Sequence, residues 1–147
     1  LDEHDVVTCW GLVALGQVTP PNDLSNIAQV SVARQHACMR NEQGDVSCWG
    51  ASGTTNATTV PSDLEAVSHI EMGWSNTCVL DANDTVDCWG SDGEGQSTPP
   101  SGLSDVEVLD SGLFHFCALT RASEVACWGA DGHVQSTPPP PFGPEPG

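Results

Sequence analysis

The chain is poor in positive charge. Three arginines (Arg34, Arg40 and Arg121) stand against 20 acidic residues, lysine is absent, and the formal net charge is −17. Nucleic acids and anionic membrane surfaces both demand a basic footprint, so neither is an expected partner. Self-repulsion keeps such a chain soluble unless cations screen it. A salt-rich habitat and a cation-bridged matrix both fit, which makes divalent cations candidate partners. No apolar run approaches the length of a membrane helix, so no membrane insertion is expected. No secretory leader is visible, so a secreted protein would be represented here by a mature or partial chain.

Catalytic signatures are also missing. None of the five histidines has a serine or cysteine in a recognised nucleophile setting. His4, His69 and His133 lie in unrelated contexts, whereas His36 and His115 recur by period, which points to structural use. Acids are so abundant that no pair stands out as acid and base. Asp81, Asn83, Thr85 and Asp87 have the spacing of the start of a calcium loop. Val86 occupies the place of the required glycine and the closing glutamate is absent, so these residues read as turn formers rather than ligands. The expectation is a non-enzyme without cofactor, catalytic residues or metal site.

What the chain does contain is a repeat. Cys-Trp-Gly occurs at Cys9, Cys48, Cys88 and Cys127, at intervals of 39, 40 and 39 residues. A second cysteine runs in phase at Cys38, Cys78 and Cys117, ten residues before the next Cys-Trp-Gly. Prolines (Pro20-Pro21, Pro61, Pro99-Pro100, Pro138-Pro139) and an apolar ladder (Leu24, Leu64, Leu103; Ile27, Val67, Val106; Val30, Ile70, Leu109) keep step. The apolar residues are largely β-branched and the segments short, with Gly, Pro, Asn, Asp and Ser between them, which is a strand signature. A unit of about 39 residues built from short strands has the size of one propeller blade. Units are expected at 6–44, 45–84 and 85–123, with a part-unit at 124–137. The proline-rich segment 138–147 reads as an extended tail or linker.

Each cysteine pair predicts a hairpin. If Cys38 faces Cys48, Arg40 faces Val46 and Asn41 faces Asp45, leaving Glu42-Gln43-Gly44 as a three-residue loop. Such loops end in a left-handed residue, usually glycine. The same register gives Ala82-Asn83-Asp84 and Arg121-Ala122-Ser123, where serine fits less well than glycine or Asp. Arg40 stands where the other hairpins have leucine, so the first should pack less well. Directly opposed residues approach closely enough for disulfides Cys38–Cys48, Cys78–Cys88 and Cys117–Cys127. Zinc is the alternative, disfavoured by the missing Cys-x-x-Cys spacing. Disulfides imply an oxidising compartment and an extracellular or cell-surface location. Cys9 is left unpaired or intermolecular. Its natural partner would lie before Leu1, as if the chain began mid-repeat.

Asn56-Ala57-Thr58 and Asn83-Asp84-Thr85 match the N-glycosylation pattern, so Asn56 and Asn83 are candidate acceptors and glycans candidate partners. Trp10, Trp49, Trp89 and Trp128, one per Cys-Trp-Gly, are expected in blade packing. Trp74 falls outside the pattern and is the better candidate for an exposed contact.

Gly112-Leu113-Phe114-His115-Phe116-Cys117-Ala118-Leu119, followed by Val125-Ala126-Cys127-Trp128-Gly129, resembles the regulator of chromosome condensation type of repeat in its secreted, cysteine-bearing form. The second repeat departs with Asn76 for histidine, and the first with Ala33 for glycine and Met39-Arg40 for Ala-Leu. The resemblance implies an all-β fold, a β-propeller of four-stranded and usually seven blades, and recognition of proteins by loops on its faces. Seven such blades need about 270 residues. This chain holds three complete blades plus a part-blade. The expected function is therefore non-catalytic and extracellular, in assembly or structure, with copies associating into a ring or filament through blade edges and loops. A fragment of a seven-bladed receptor-like or inhibitor-like binding domain is the alternative, and a secreted carbohydrate-active enzyme the third reading.

Overall fold

The computed structural model describes residues 7–11, 16–51 and 55–140. Its described strands form three antiparallel sheets, here called blades. Blade 1 contains β1 (Ile27–Val32), β2 (His36–Asn41) and β3 (Val46–Gly50). Blade 2 contains β4 (Val67–Met72), β5 (Asn76–Asp81) and β6 (Val86–Gly90), and blade 3 contains β7 (Val106–Ser111), β8 (His115–Thr120) and β9 (Val125–Gly129). Each sheet joins the end of one sequence unit to the start of the next. Among the described residues each blade has three strands, one fewer than the resemblance implies. After the third strand of blades 2 and 3 the chain closes into turns on its own side chains. Asp92 accepts hydrogen bonds from the Ser97 N–H and the Thr98 hydroxyl, and Asp131 does the same for Ser136 and Thr137. Donors satisfied in this way need no neighbouring strand.

The hairpins have the register expected from the cysteine spacing. Cys38 pairs with Cys48, Cys78 with Cys88 and Cys117 with Cys127, and each pair is a disulfide with Cα atoms 4.1 Å apart. The left-handed turn position is filled by Gly44 (φ 88°), Asp84 (φ 60°) and Ser123 (φ 66°). The first strand of every blade carries a bulge, between Ile27 and Gln29, Val67 and His69, and Val106 and Val108. The glycine of Cys-Trp-Gly has φ of 111°, 105° and 100° at Gly50, Gly90 and Gly129. This conformation lets the next residue donate to the preceding hairpin: Ala51 to Gln35, Ser91 to Ser75 and Ala130 to Phe114, at 2.8–2.9 Å. A Cβ at Gly50 would lie 2.6 Å from the Gln35 carbonyl oxygen, so a larger residue would break the joint.

Apolar packing runs from blade to blade. Cys38 of blade 1 is buried with Val67, Ile70, Met72 and Val79 of blade 2. Cys78 and Leu80 of blade 2 are buried with Val106, Leu109 and Phe116 of blade 3. Backbone hydrogen bonds stitch the same joints, from Val67 N–H to Gly44 and from Val106 N–H to Asp84. Gln29 spans the first joint with both amide atoms, donating to the Ile70 carbonyl at 2.9 Å and accepting from the Ile70 N–H at 3.1 Å. Arg40 is half-buried and donates to Gln29 at 3.3 Å, a polar contact where Leu80 supplies apolar packing one blade later.

Candidate protein-contact faces

The tryptophans of Cys-Trp-Gly divide into two groups. Trp49, Trp89 and Trp128 are buried, and each indole N–H donates to a carbonyl 32 residues upstream: Gln17, Ala57 and Gln96, at 3.0–3.1 Å. They clamp the loop that leads into their own blade, and Trp128 also stacks on Phe116. Trp10 corrects the expectation of packing, because it is 85% exposed.

Cys9 is half-buried and unpaired among the described residues. It borders a cavity of about 450 Å³ with Trp10, Val30, Val32 and His36 on its walls. Asn56 and Asn83 are both exposed, Asn83 in the turn of the second hairpin. His4 lies outside the described residues, as does 141–147 of the tail. His36 is fully buried, and its Nε2 shares a 3.0 Å hydrogen bond with the Thr77 hydroxyl across the joint between blades 1 and 2. Burial pushes its pKa down to about 4, so the ring is neutral. His115 takes the corresponding place in blade 3 and lies against Gly112, where a Cβ would collide with its ring. The two histidines sit in different blades with different partners and form no catalytic pair.

The calcium-like stretch is a turn. Asp81 accepts from the Asn83 N–H, the Thr85 N–H and the Thr85 hydroxyl at 2.7–2.9 Å. Burial alone would raise its pKa, but these hydrogen bonds outweigh it and hold the carboxyl below the ordinary range. Among the described residues no group of three or more His, Cys, Asp or Glu is placed to hold a metal ion.

Two surfaces remain as candidate contact faces. The first is the outer side of blade 3. Cys78 and Leu80 are buried under blade 3, whereas their counterparts Cys117 and Leu119 are only half-buried. The second is the end of the blades bearing the turns after β1, β4 and β7. Arg34, Trp74 and Phe114 form a ladder there, one residue from each blade. The Arg34 guanidinium lies 4.2 Å above the Trp74 ring, and Trp74 stacks on Phe114 at 5.6 Å with 26° between the planes. The Trp74 N–H donates to the Leu113 carbonyl at 2.8 Å, which fixes the spacing of the two turns. Phe114 is 41% exposed and Leu113 61%. Trp74, expected as an exposed contact because it breaks the repeat pattern, is instead half-buried between Arg34 and Phe114. The sequence did not single out Arg34 or Phe114: Arg34 holds the repeat position of Trp74, and Phe114 stands one place later, where blade 2 has Ser75.

Residues 67–96 match the Regulator of chromosome condensation (RCC1) repeat. This stretch is blade 2 from β4 to the glutamine after its Cys-Trp-Gly. A search of curated protein sequences gives no match. Solved structures with RCC1-type and related propellers superpose well. The CRINKLY WD40 ectodomain of the Arabidopsis thaliana receptor kinase ACR4 is 21% identical with a TM-score of 0.59, over 71% of this chain and 37% of that one. Prp20p from Saccharomyces cerevisiae, whose binding to Gsp1p and histones has been described, is 18% identical with a TM-score of 0.62, over 71% and 31%. Human WBSCR16 gives 17% and 0.67, over 83% and 39%. The chain thus spans less than two-fifths of each. These identities establish the fold: a run of β-propeller-type blades with one disulfide each.

Proposed function

We propose that this chain is a non-catalytic, extracellular propeller segment that works by protein association, with the outer side of blade 3 stacking against a blade of a second copy. The observation that carries this reading is the pair Cys117 and Leu119, half-buried where their blade 2 counterparts Cys78 and Leu80 are buried beneath the next blade. A sheet face of that composition is stabilised by covering it, at roughly 25 cal/mol per Å² of apolar area. A blade's first strand is the partner it already accepts at both internal joints. Repetition of the joint between copies gives a ring if the rotation closes and a filament if it does not. The three disulfides support an oxidising, extracellular setting. In that setting exposed Asn56 and Asn83 are the proposed glycan acceptors, tested by a mass shift that endoglycosidase removes.

A second reading is favoured by the coverage of the relatives: the chain is one segment of a longer receptor-like or inhibitor-like propeller, and the face of blade 3 meets a blade of the same polypeptide. Light scattering of the native, non-reduced chain followed by electron microscopy separates the two. Rings or regular polymers are expected for association between copies. A species of 15.3 kDa at all concentrations overturns it and leaves the longer-propeller reading.

A further inference from the structure

The ladder Arg34–Trp74–Phe114 has an open end. Phe114 is its last rung, and beside it lies a cleft of about 440 Å³ walled by Phe114, Glu94, Gln96, Ala130 and Gln135. The cleft lies between the loop after β6 and the loop after β9, the same end of the blades as the ladder. The two loops read Ser91-Asp92-Gly93-Glu94-Gly95-Gln96 and Ala130-Asp131-Gly132-His133-Val134-Gln135. They bring three carboxylates and neither lysine nor arginine. Asp92 and Asp131 spend their oxygens on Ser97, Thr98, Ser136 and Thr137. Glu94 lines the cleft itself.

We infer that this cleft is a docking site for a basic protein segment, with an arginine or lysine side chain entering between the two loops to lie on the Phe114 ring and face Glu94. The ladder already displays this contact one blade earlier, where Arg34 covers Trp74. A cation over an aromatic face is attracted by the ring quadrupole, and the attraction grows as water is excluded. The occupant's charge follows from that of the chain. At −17 with three arginines, the protein supplies few cations of its own. Arg121 is committed to Asp84 at 2.8 Å, Arg34 to Trp74, and Arg40 to Gln29. A partner with complementary charge is steered toward this surface and held in register by it. Aromatic residues and arginine dominate the energetics of protein interfaces, and the ladder has that composition. The site uses loops rather than sheet faces, so it is independent of whether blade ends stack.

The test is calorimetric titration of the intact, disulfide-bonded chain, at physiological salt, with a capped decapeptide of alternating arginine and glycine. The same peptide with citrulline for arginine controls for shape without charge. Saturable binding of the arginine peptide and none of the citrulline peptide is expected. Phe114→Leu keeps apolar bulk but removes the ring, and should weaken binding about three- to tenfold. Glu94→Gln should do the same, and Phe114→Trp should tighten binding. Asp45→Asn removes one charge at the opposite end of blade 1 and should change affinity less than twofold. Unchanged thermal midpoints certify that each variant is folded. Equal loss from Asp45→Asn and Glu94→Gln would mean diffuse attraction and overturn the site. So would indifference to Phe114→Leu, binding of the citrulline peptide, or no saturable binding.

Discussion

His36 and Asn76 hold the same place in successive blades and make different contacts. His36 reaches forward to the Thr77 hydroxyl of the next blade, while the Asn76 amide donates to the Gln96 carbonyl in the loop that follows its own blade. Phe116 stands in blade 3 where Thr77 stands in blade 2, so blade 3 has no hydroxyl at the place where Thr77 receives His36. The buried histidine makes stability depend on pH. With its folded pKa near 4 against an ordinary 6.5, both states are neutral above pH 6.5 and His36 costs nothing. Between pH 6.5 and 4 the unfolded chain binds a proton that the folded chain refuses, so stability falls. Below pH 4 the loss is complete, at about 3 kcal/mol. His36→Asn should remove this component, and the measurement is the difference between the two proteins' thermal midpoints from pH 7 to pH 4. The subtraction cancels the titration of the acidic residues that both share. Gly73 makes a second residue-scale prediction. A Cβ there would collide with the Asn76 amide oxygen and lie 3.1 Å from the Leu113 carbonyl oxygen. Gly73→Ala should cost about 1–3 kcal/mol in urea unfolding. Blade 1 tolerates Ala33 in this position because His36 points away toward Thr77.

At the scale of the element, the hairpins are the most legible part of the chain. Paired cysteines ten residues apart fix the register, and the register fixes which residue must turn left-handed. Ser123 confirms the geometry by adopting φ 66° where glycine serves the first hairpin. That conformation costs an ordinary side chain on the order of 1 kcal/mol. Ser123→Gly should therefore stabilise the third hairpin by about 0.5–1 kcal/mol, less the extra freedom glycine gives the unfolded chain. Asp84→Gly should gain less, because Asp tolerates the left-handed region. Thermal unfolding of the two variants side by side checks the order. The bulges at Ala28, Ser68 and Glu107 could not be read, because the three residue types share no property that marks an extra residue. The lack of a fourth strand among the described residues was hidden for a related reason. Asp92 and Asp131 capture the donors a ladder would use, and an Asp-Gly sequence carries that preference only once its partners Ser97 and Ser136 are known to fold back on it. The ladder of Arg34, Trp74 and Phe114 was hidden because it crosses blades at positions whose residue type varies between repeats.

For the molecule as a whole, the repeat makes each joint a copy of the last, so one substitution has different meanings at different joints. Leu80 and Leu119 occupy equivalent places on β5 and β8. Leu80 is buried at the joint of blades 2 and 3, and a carboxylate there would be a buried unpaired charge. Leu80→Asp should cost at least about 3 kcal/mol and expose both blades to unfolding together, because contacts in a stacked array run only between neighbours. Leu119 faces outward from the last complete blade, where water can reach an introduced carboxylate. Leu119→Asp should cost the isolated chain less than Leu80→Asp, about 1–2 kcal/mol for the apolar contact a half-buried leucine gives up. If the face of blade 3 takes up a second copy, the same substitution places a charge in the new joint and removes the high-mass species at every concentration. Urea unfolding and light scattering on the two variants give four readings. The expected pattern is a strongly destabilised Leu80→Asp and a folded, monomeric, less destabilised Leu119→Asp. High-mass species that survive Leu119→Asp would move the contact away from the sheet face and leave the loop end of the blades as the surface that meets other proteins.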